Sequence, residues 1–233
     1  MNFLLGRLAD NPAVQACTAQ QPFLSASSLT EEALILAASY AQNPRPMLIV
    51  KNNLYTAQRL AEKLKSLLSP QVCALFSVEE SMRVEAIAAS PEAMAEKVET
   101  LNRLLNEDQL ICVTHASALV RYLPSPAQFK LCTIVLKTGM DVSMNELKRT
   151  LIAAGYPQTA RVDQPLCFAS RGGIIDIYSI NSETPVRIEF FDTEIDSIRT
   201  FDIATQRTLE VKAETEIVPA SDLLLDDDQI TLI

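Results

Sequence analysis

Four short apolar runs divide the first half of the chain: PFLSA (22–26), PMLIV (46–50), VCALF (72–76) and LICVT (110–114). Stretches of helical pattern lie between them. TEEALILAASYA follows the first run, NLYTAQRLAEKLKSLL the second, and SPEAMAEKVETLNRLL precedes the fourth. Strands joined through helices cannot form hairpins. They pair in parallel and need cover from the helices that connect them. Ser90 is placed to cap the last of these helices, and Pro91 stands at the first helical position, where a missing N–H costs nothing. The spacing therefore predicts an α/β domain with a parallel sheet.

The pattern changes at RYLPSPAQF (121–129), where two prolines and a serine interrupt it. CTIVLKTG and SMNELKRTLIAAGY follow. The latter reads as a helix opened by a Ser143…Glu146 capping box and closed at Gly155. Beyond Gly155 the runs PLCFAS, GIIDIYS, PVRIEFF and EIDSIRTFD read as strands at hairpin spacing, which predicts an α+β unit built on antiparallel pairs.

Bulk properties exclude several classes of function. The net charge of −9 disfavours autonomous binding to nucleic acid, whose phosphates require a basic surface. No apolar run reaches the roughly 18 residues of a membrane span. The five cysteines (Cys17, Cys73, Cys112, Cys132, Cys167) are scattered, with no CxxC pair, so neither a zinc site nor a disulfide framework is indicated. Buried, reduced thiols in a cytoplasmic protein are expected. His115 is the single histidine, so no Ser–His or Cys–His constellation has a second candidate base, and a structural or surface histidine is expected. The acidic pairs Glu79–Glu80, Glu31–Glu32 and Asp226–Asp228 lack metal-loop spacing and read as solvated surface.

SASSLTEEA (25–33) lies between the first strand and the first helix, where a nucleotide-binding α/β domain keeps its phosphate loop. Laid on GxxxxGK[ST], Ser25 and Thr30 replace the glycines, Glu31 the lysine and Glu32 the Ser/Thr. A working loop wraps phosphate with glycine N–H groups and a lysine. Here Ser28 and Glu31 form a capping box instead, and Glu31 and Glu32 complement the helix dipole while repelling a triphosphate. The stretch is either an ordinary capped helix start or a degenerate phosphate loop. Both readings argue against ATP hydrolysis.

The strand PVRIEFF carries the other feature of note. Alternation puts Val186, Ile188 and Phe190 on one face and Arg187, Glu189 and Phe191 on the other. A polar face that ends in phenylalanine is either covered by another layer or is a binding surface. Exposed aromatic plus arginine is the composition of interface hot spots. Arg171 precedes the first strand of the same hairpin, but Gly172 and Gly173 permit either a bulge or a close turn, so parity does not assign its face.

The segment FASRGGIIDIYSINSETPVRIEFFDTEIDSIRTFDIATQRTLE (168–210) resembles the N-terminal module of the bacterial transcription-repair coupling factor family (Mfd), itself similar to the excinuclease protein UvrB. The RGGIIDI, VRIEFF and EIDSIR strands and the closing FDxxTQRTLE turn carry the resemblance, which extends upstream through LKTGMDVSMNELKRTLIAAGY and PMLIVKNNLYTAQRLAEKL. The resemblance implies a degenerate P-loop, RecA-like parallel-sheet domain over 1–122, an α+β domain like domain 2 of UvrB over 123–215, and over 216–233 the start of a segment returning to the first domain. The stretch FSVEESMRVEAIAASPEA has one aromatic, with no room for the tyrosine-rich DNA-clamping hairpin of UvrB. The resemblance further implies a non-catalytic, cofactor-free module that binds the excinuclease protein UvrA through Arg171, Arg187 and Phe191. In the longer protein, RNA polymerase and DNA would be partners and an ATP-driven translocase would lie elsewhere. The competing readings are an ATP-binding, helicase-like lobe that contacts damaged DNA, and an unrelated α/β protein with a ligand at its strand ends.

Overall fold

The computed structural model describes residues 2–20, 28–78, 91–222 and 224, and the chain divides into two units. Run 22–26, Ser25, Ser90, Glu79–Glu80, most of the hairpin-equivalent stretch and the acidic end with Asp226–Asp228 lie outside the described residues. Both parallel and antiparallel sheets are present, as the strand spacing predicts.

The first unit spans residues 1–84 and 103–121. It contains α1 (Asn2–Arg7), α2 (Pro12–Thr18), α3 (Leu29–Gln42), β1 (Met47–Lys51), α4 (Leu54–Leu67), β2 (Cys73–Phe76), the end of α5 (Pro91–Asn106), β3 (Ile111–His115) and α6 (Ala116–Leu119). The three strands pair in parallel in the order β1-β3-β2. β3 is central and buried along its whole length, which is why its run is continuously apolar rather than alternating. Asn53 caps α4 by accepting the Thr56 N–H at 2.9 Å. Ala57, Leu60, Ala61 and Leu64 then recur at helical spacing, forming the stripe that packs with Ala37, Ala38, Ile111 and Val113. His115 is fully buried, not on the surface, and its Nε2 accepts the Val78 N–H at 3.2 Å.

The second unit spans 85–102 and 122–233 and so takes in the first part of α5. Its further elements are α7 (Pro126–Leu131), β4 (Ile134–Lys137), α8 (Met144–Ala153), β5 (Gln158–Thr159), β6 (Cys167–Arg171), β7 (Ile174–Tyr178), β8 (Val186–Phe191), β9 (Glu194–Phe201), β10 (Thr208–Lys212) and β11 (Glu214–Ile217). The proline-rich 121–129 stretch is partly helical. Pro126 occupies the first turn of α7, and Ser125 and Gln128 form a full capping box, so proline starts a helix here instead of only ending one. A six-stranded sheet runs in the order β10-β9-β8-β7-β6-β5, antiparallel except for β5 with β6. β4 and β11 form a separate antiparallel pair.

One face of the large sheet holds the core of this unit. Ile175, Ile177, Val186, Ile188, Ile195 and Ile198 pack with Leu147 and Leu151 of α8 and Ala95 of α5. α8 is capped by Ser143, which accepts the Glu146 N–H at 3.2 Å. It ends in a Schellman turn: Gly155 N–H bonds Ile152 O at 3.0 Å and Tyr156 N–H bonds Leu151 O at 2.9 Å. Gly155 has φ +91°, the left-handed conformation that glycine adopts without cost. Tyr156 is buried and donates its hydroxyl to Val218 O at 2.6 Å, and burial raises its pKa.

Candidate interaction face

The opposite face of this sheet is set by register. Asp176 stands opposite Arg187 and Ala169, Ile174 opposite Glu189 and Arg171, and Arg199 opposite Arg187 and Val211. The β6–β7 connection is a close two-residue turn, Gly172–Gly173, with Gly172 at φ +56°. β6 and β7 pair without a bulge, so Arg171 shares the face of Arg187. A Cβ at Gly173 would lie 3.2 Å from Phe190 O, so glycine allows the neighbouring strand its close approach. The irregularity falls instead on β9, where Glu189 pairs Ser197 and Phe190 pairs Ile195, leaving Asp196 as the extra residue. The bulge lets Ile195 and Ile198 both enter the core although they lie three apart, and β8 keeps its strict alternation.

Asp176 is the hub of this face. Its side chain is only 5% exposed and accepts a bidentate fork from Arg187, Nε to Oδ1 at 2.7 Å and Nη2 to Oδ2 at 2.8 Å. Arg187 also donates to Gln206 Oε1 at 2.9 Å, and its guanidinium carbon lies 4.4 Å from the centre of the Phe201 ring. Hydrogen bonding to Asp176 raises the Arg187 pKa above its ordinary value. Arg171 reaches the same carboxylate more loosely, Nη2 to Oδ2 at 3.6 Å, with its side chain 57% exposed. Beside them Glu189 pairs with Arg199 and accepts the Ser197 hydroxyl at 3.1 Å.

Phe191 ends the face. It is 77% exposed, whereas its neighbour Phe190 packs against the core. Its position is held by backbone bonds. The tip of the β8–β9 hairpin bonds the 139–142 segment through Gly139 N–H to Ile195 O and Val142 N–H to Thr193 O, both 2.8 Å, and Ile195 N–H to Met140 O at 3.0 Å. The ring is therefore displayed on a fixed strand end rather than on a loose loop. The structure brings Arg171 and Arg187 together on one acid and leaves Phe191 about 13 Å along the strand from Arg187, four residues at strand rise.

The sequence reading missed Asp176, the residue that organises the face. A lone acid within IIDIY was its only signal, and register was needed to pair it. Of the phosphate-loop candidates, Ser25 lies outside the described residues. Ser28 caps α3, accepting the Glu31 N–H at 3.2 Å, and Thr30 and Glu31 lie exposed on its first turn. Glu32 is not simply solvated: Lys51 Nζ, at the end of β1, donates to its two oxygens at 2.8 and 2.9 Å. Among the described residues no cluster of three His, Cys, Asp or Glu side chains could hold a metal, and no helix is long and apolar enough to cross a membrane.

The second unit thus presents a six-stranded sheet with helices packed on one face and a charged and aromatic array on the other. Residues 134–223, from the start of β4 past the end of β11, match the family described as the UvrB interaction domain. The wider chain is similar to transcription-repair-coupling factors. It is 35% identical over 210 residues to that of Bacillus subtilis (strain 168), covering 90% of this chain and 18% of the relative. The corresponding figures for Staphylococcus haemolyticus (strain JCSC1435) are 34% over 211 residues, 91% and 18%. For Staphylococcus aureus (strain USA300) they are 32% over 197 residues, 84% and 17%. Residues 134–223 thus resemble a UvrB interaction domain, and over most of its length the chain is similar to part of the transcription-repair-coupling factors. It spans less than a fifth of the length of these relatives.

Proposed function

We propose that this chain is a non-catalytic docking module of a transcription-repair coupling factor, whose second unit mimics UvrB and binds UvrA. The observation that carries this reading is the fixed, 77% exposed Phe191 on the same strand face as the arginines, within the stretch that matches the UvrB interaction domain. Binding would bring excision repair to a stalled RNA polymerase. DNA and polymerase contacts would belong to other parts of the longer protein. Arg171, Arg187 and Phe191 make up the face, with the ring as apolar anchor and the cations selecting an acidic surface. The resemblance would set the domains at 1–122 and 123–215, with the start of a returning segment at 216–233, whereas contacts within the chain place 85–102 and the residues from 216 with the second unit.

The loop around Ser25, Ser28, Thr30, Glu31 and Glu32 is read as a phosphate loop that has lost its chemistry. The first turn of α3 presents two carboxylates, and one of them already holds the neighbouring lysine. Titration calorimetry with purified UvrA tests the docking role. The wild-type chain binds, and Phe191→Ala weakens binding by about 2 kcal/mol or more while its circular dichroism stays native. A wild-type chain that does not bind, or a Phe191→Ala chain that binds as well, would overturn the reading.

A further inference from the structure

The separate β4–β11 pair has one edge of β11 bonded to β4 and the other edge open. Ala213 O accepts the Thr138 N–H at 2.9 Å, so Ala213 points its backbone groups toward β4. In an antiparallel strand the N–H and C=O of one residue turn to the same side, and successive residues alternate. Thr215 and Ile217 therefore serve the ladder with β4, and Glu214 and Glu216 aim their backbone groups away from it. Asn181, in the β7–β8 loop, agrees with that direction: its Nδ2 donates to Glu216 O at 3.1 Å from the far side. A side-chain amide thus takes one rung that a third strand would take. Between loop and strand lies a groove of about 260 Å³, whose lining includes Val135, Asn181, Ser182, Lys212, Glu214 and Glu216.

The charges in the groove are unequally satisfied. Glu214 is held by Lys137 at 2.8 Å. Lys212 and Glu216 have no ion pair among the described residues, and Glu216 stands across β4 from Val135, which is 47% exposed. The other face of the pair is apolar, with Leu136 and Ile217 packed into the core.

We propose that the open edge of β11 is a second docking site, which takes an extended segment of a partner protein as a third, antiparallel strand. That segment carries a base where it meets Glu216 and an acid where it meets Lys212, with aliphatic residues at the alternate positions that face the core side. Backbone rungs supply the attraction, and the two charges set direction and register. A second copy of β11 does not meet these terms: the antiparallel register that joins Lys212 to Glu216 of the mate also sets Glu214 against Glu214. The site shares no residue with the face of Arg171, Arg187 and Phe191 and stands independently of the docking role proposed above.

The test titrates the nitrogen-15-labelled chain with acetyl-Lys-Val-Thr-Val-Glu-amide and follows the Glu214 and Glu216 amides by NMR. Both should shift saturably, and the charge-swapped acetyl-Glu-Val-Thr-Val-Lys-amide should bind about tenfold more weakly or worse. Glu216→Pro deletes a groove-facing N–H together with the charge and leaves the bonds of Thr215 and Ile217 to β4 in place, so binding should be lost while circular dichroism stays native. Should that variant fail to fold, Glu216→Gln removes the charge alone and should weaken binding by about threefold or more. No saturable shift at the two amides, equal binding of the two peptides, or undiminished binding by the folded variant overturns the inference. Shifts at these amides that follow protein concentration without peptide would make the occupant a second copy and overturn it as well.

Discussion

Arg187 and Phe191 share a strand face and have opposite relations to the fold. Phe191 contributes little to packing, so its truncation should leave the fold intact. Arg187 is built into a network, and Arg187→Glu would set a second carboxylate beside Asp176, whose side chain is only 5% exposed. That substitution is expected to destabilise the second unit by on the order of 3–5 kcal/mol, the cost of an uncompensated buried charge. Urea denaturation measures it, and an unchanged midpoint would show that Arg187 is not needed to neutralise Asp176. The face of Phe191 was legible from alternation, because β8 carries no bulge. Arg171 was not, because only the observed two-residue turn decides its side. Asp176 was invisible in its role: nothing in IIDIY says that the carboxylate faces Arg187 across a strand boundary.

At the scale of elements, local rules account for the ends and cross-strand packing for the middles. The α8 terminus shows both. Gly155 was readable as the closing residue, and its φ of +91° agrees. Tertiary structure adds a second constraint, since a Cβ at Gly155 would meet the Ser221 Cβ at 2.7 Å. Gly155→Ala is expected to cost on the order of 2 kcal/mol for the left-handed backbone, and more for the contact, as read from thermal unfolding. In the first unit, Cys73 on β2 and Cys112 on β3 are buried, and burial pushes each thiol up to about 11 from an ordinary 9.0. The folded state thus holds its thiol protons more tightly than the unfolded chain does. The associated stability is fully present below pH 9 and is lost as pH rises from there through about 11. Urea midpoints measured across that window should fall, and Cys112→Ala should make the fall shallower. Parallel slopes for the two proteins would count against it.

At the scale of the molecule, the two units have separate cores, one around Leu60 and Ile111 and one around Leu151 and Ile188. Within the second unit the segment after β11 is tied back by charge: Lys97 of α5 pairs with Asp222 at 2.9 Å, both side chains nearly buried. Lys97→Met strands that carboxylate and is expected to cost about 3 kcal/mol of stability, measured by denaturant unfolding. If the unfolding midpoint does not move, the tie carries no weight. A chain-wide expectation concerns nucleotide. With Glu31 and Glu32 in the first turn of α3, a fluorescent ATP analogue at millimolar concentration should show no saturable binding to the whole chain.

Local sequence set the main strands and helices, the parallel-then-antiparallel order, the helix caps at Ser28 and Ser143, and the strand face that Phe191 shares with Arg187. These depend on neighbours a few residues away, through periodicity, capping chemistry and turn residues. Long-range packing settles that Phe191 lies open, that Pro126 begins a helix, that Asp196 is the bulge which admits both Ile195 and Ile198 to the core, that Glu32 holds Lys51, and that Asp176 gathers Arg171 and Arg187. Each of these depends on residues from different strands or helices. Which groups meet is set by the register of the pairing and by which charges burial forces together, and neither is written in local sequence.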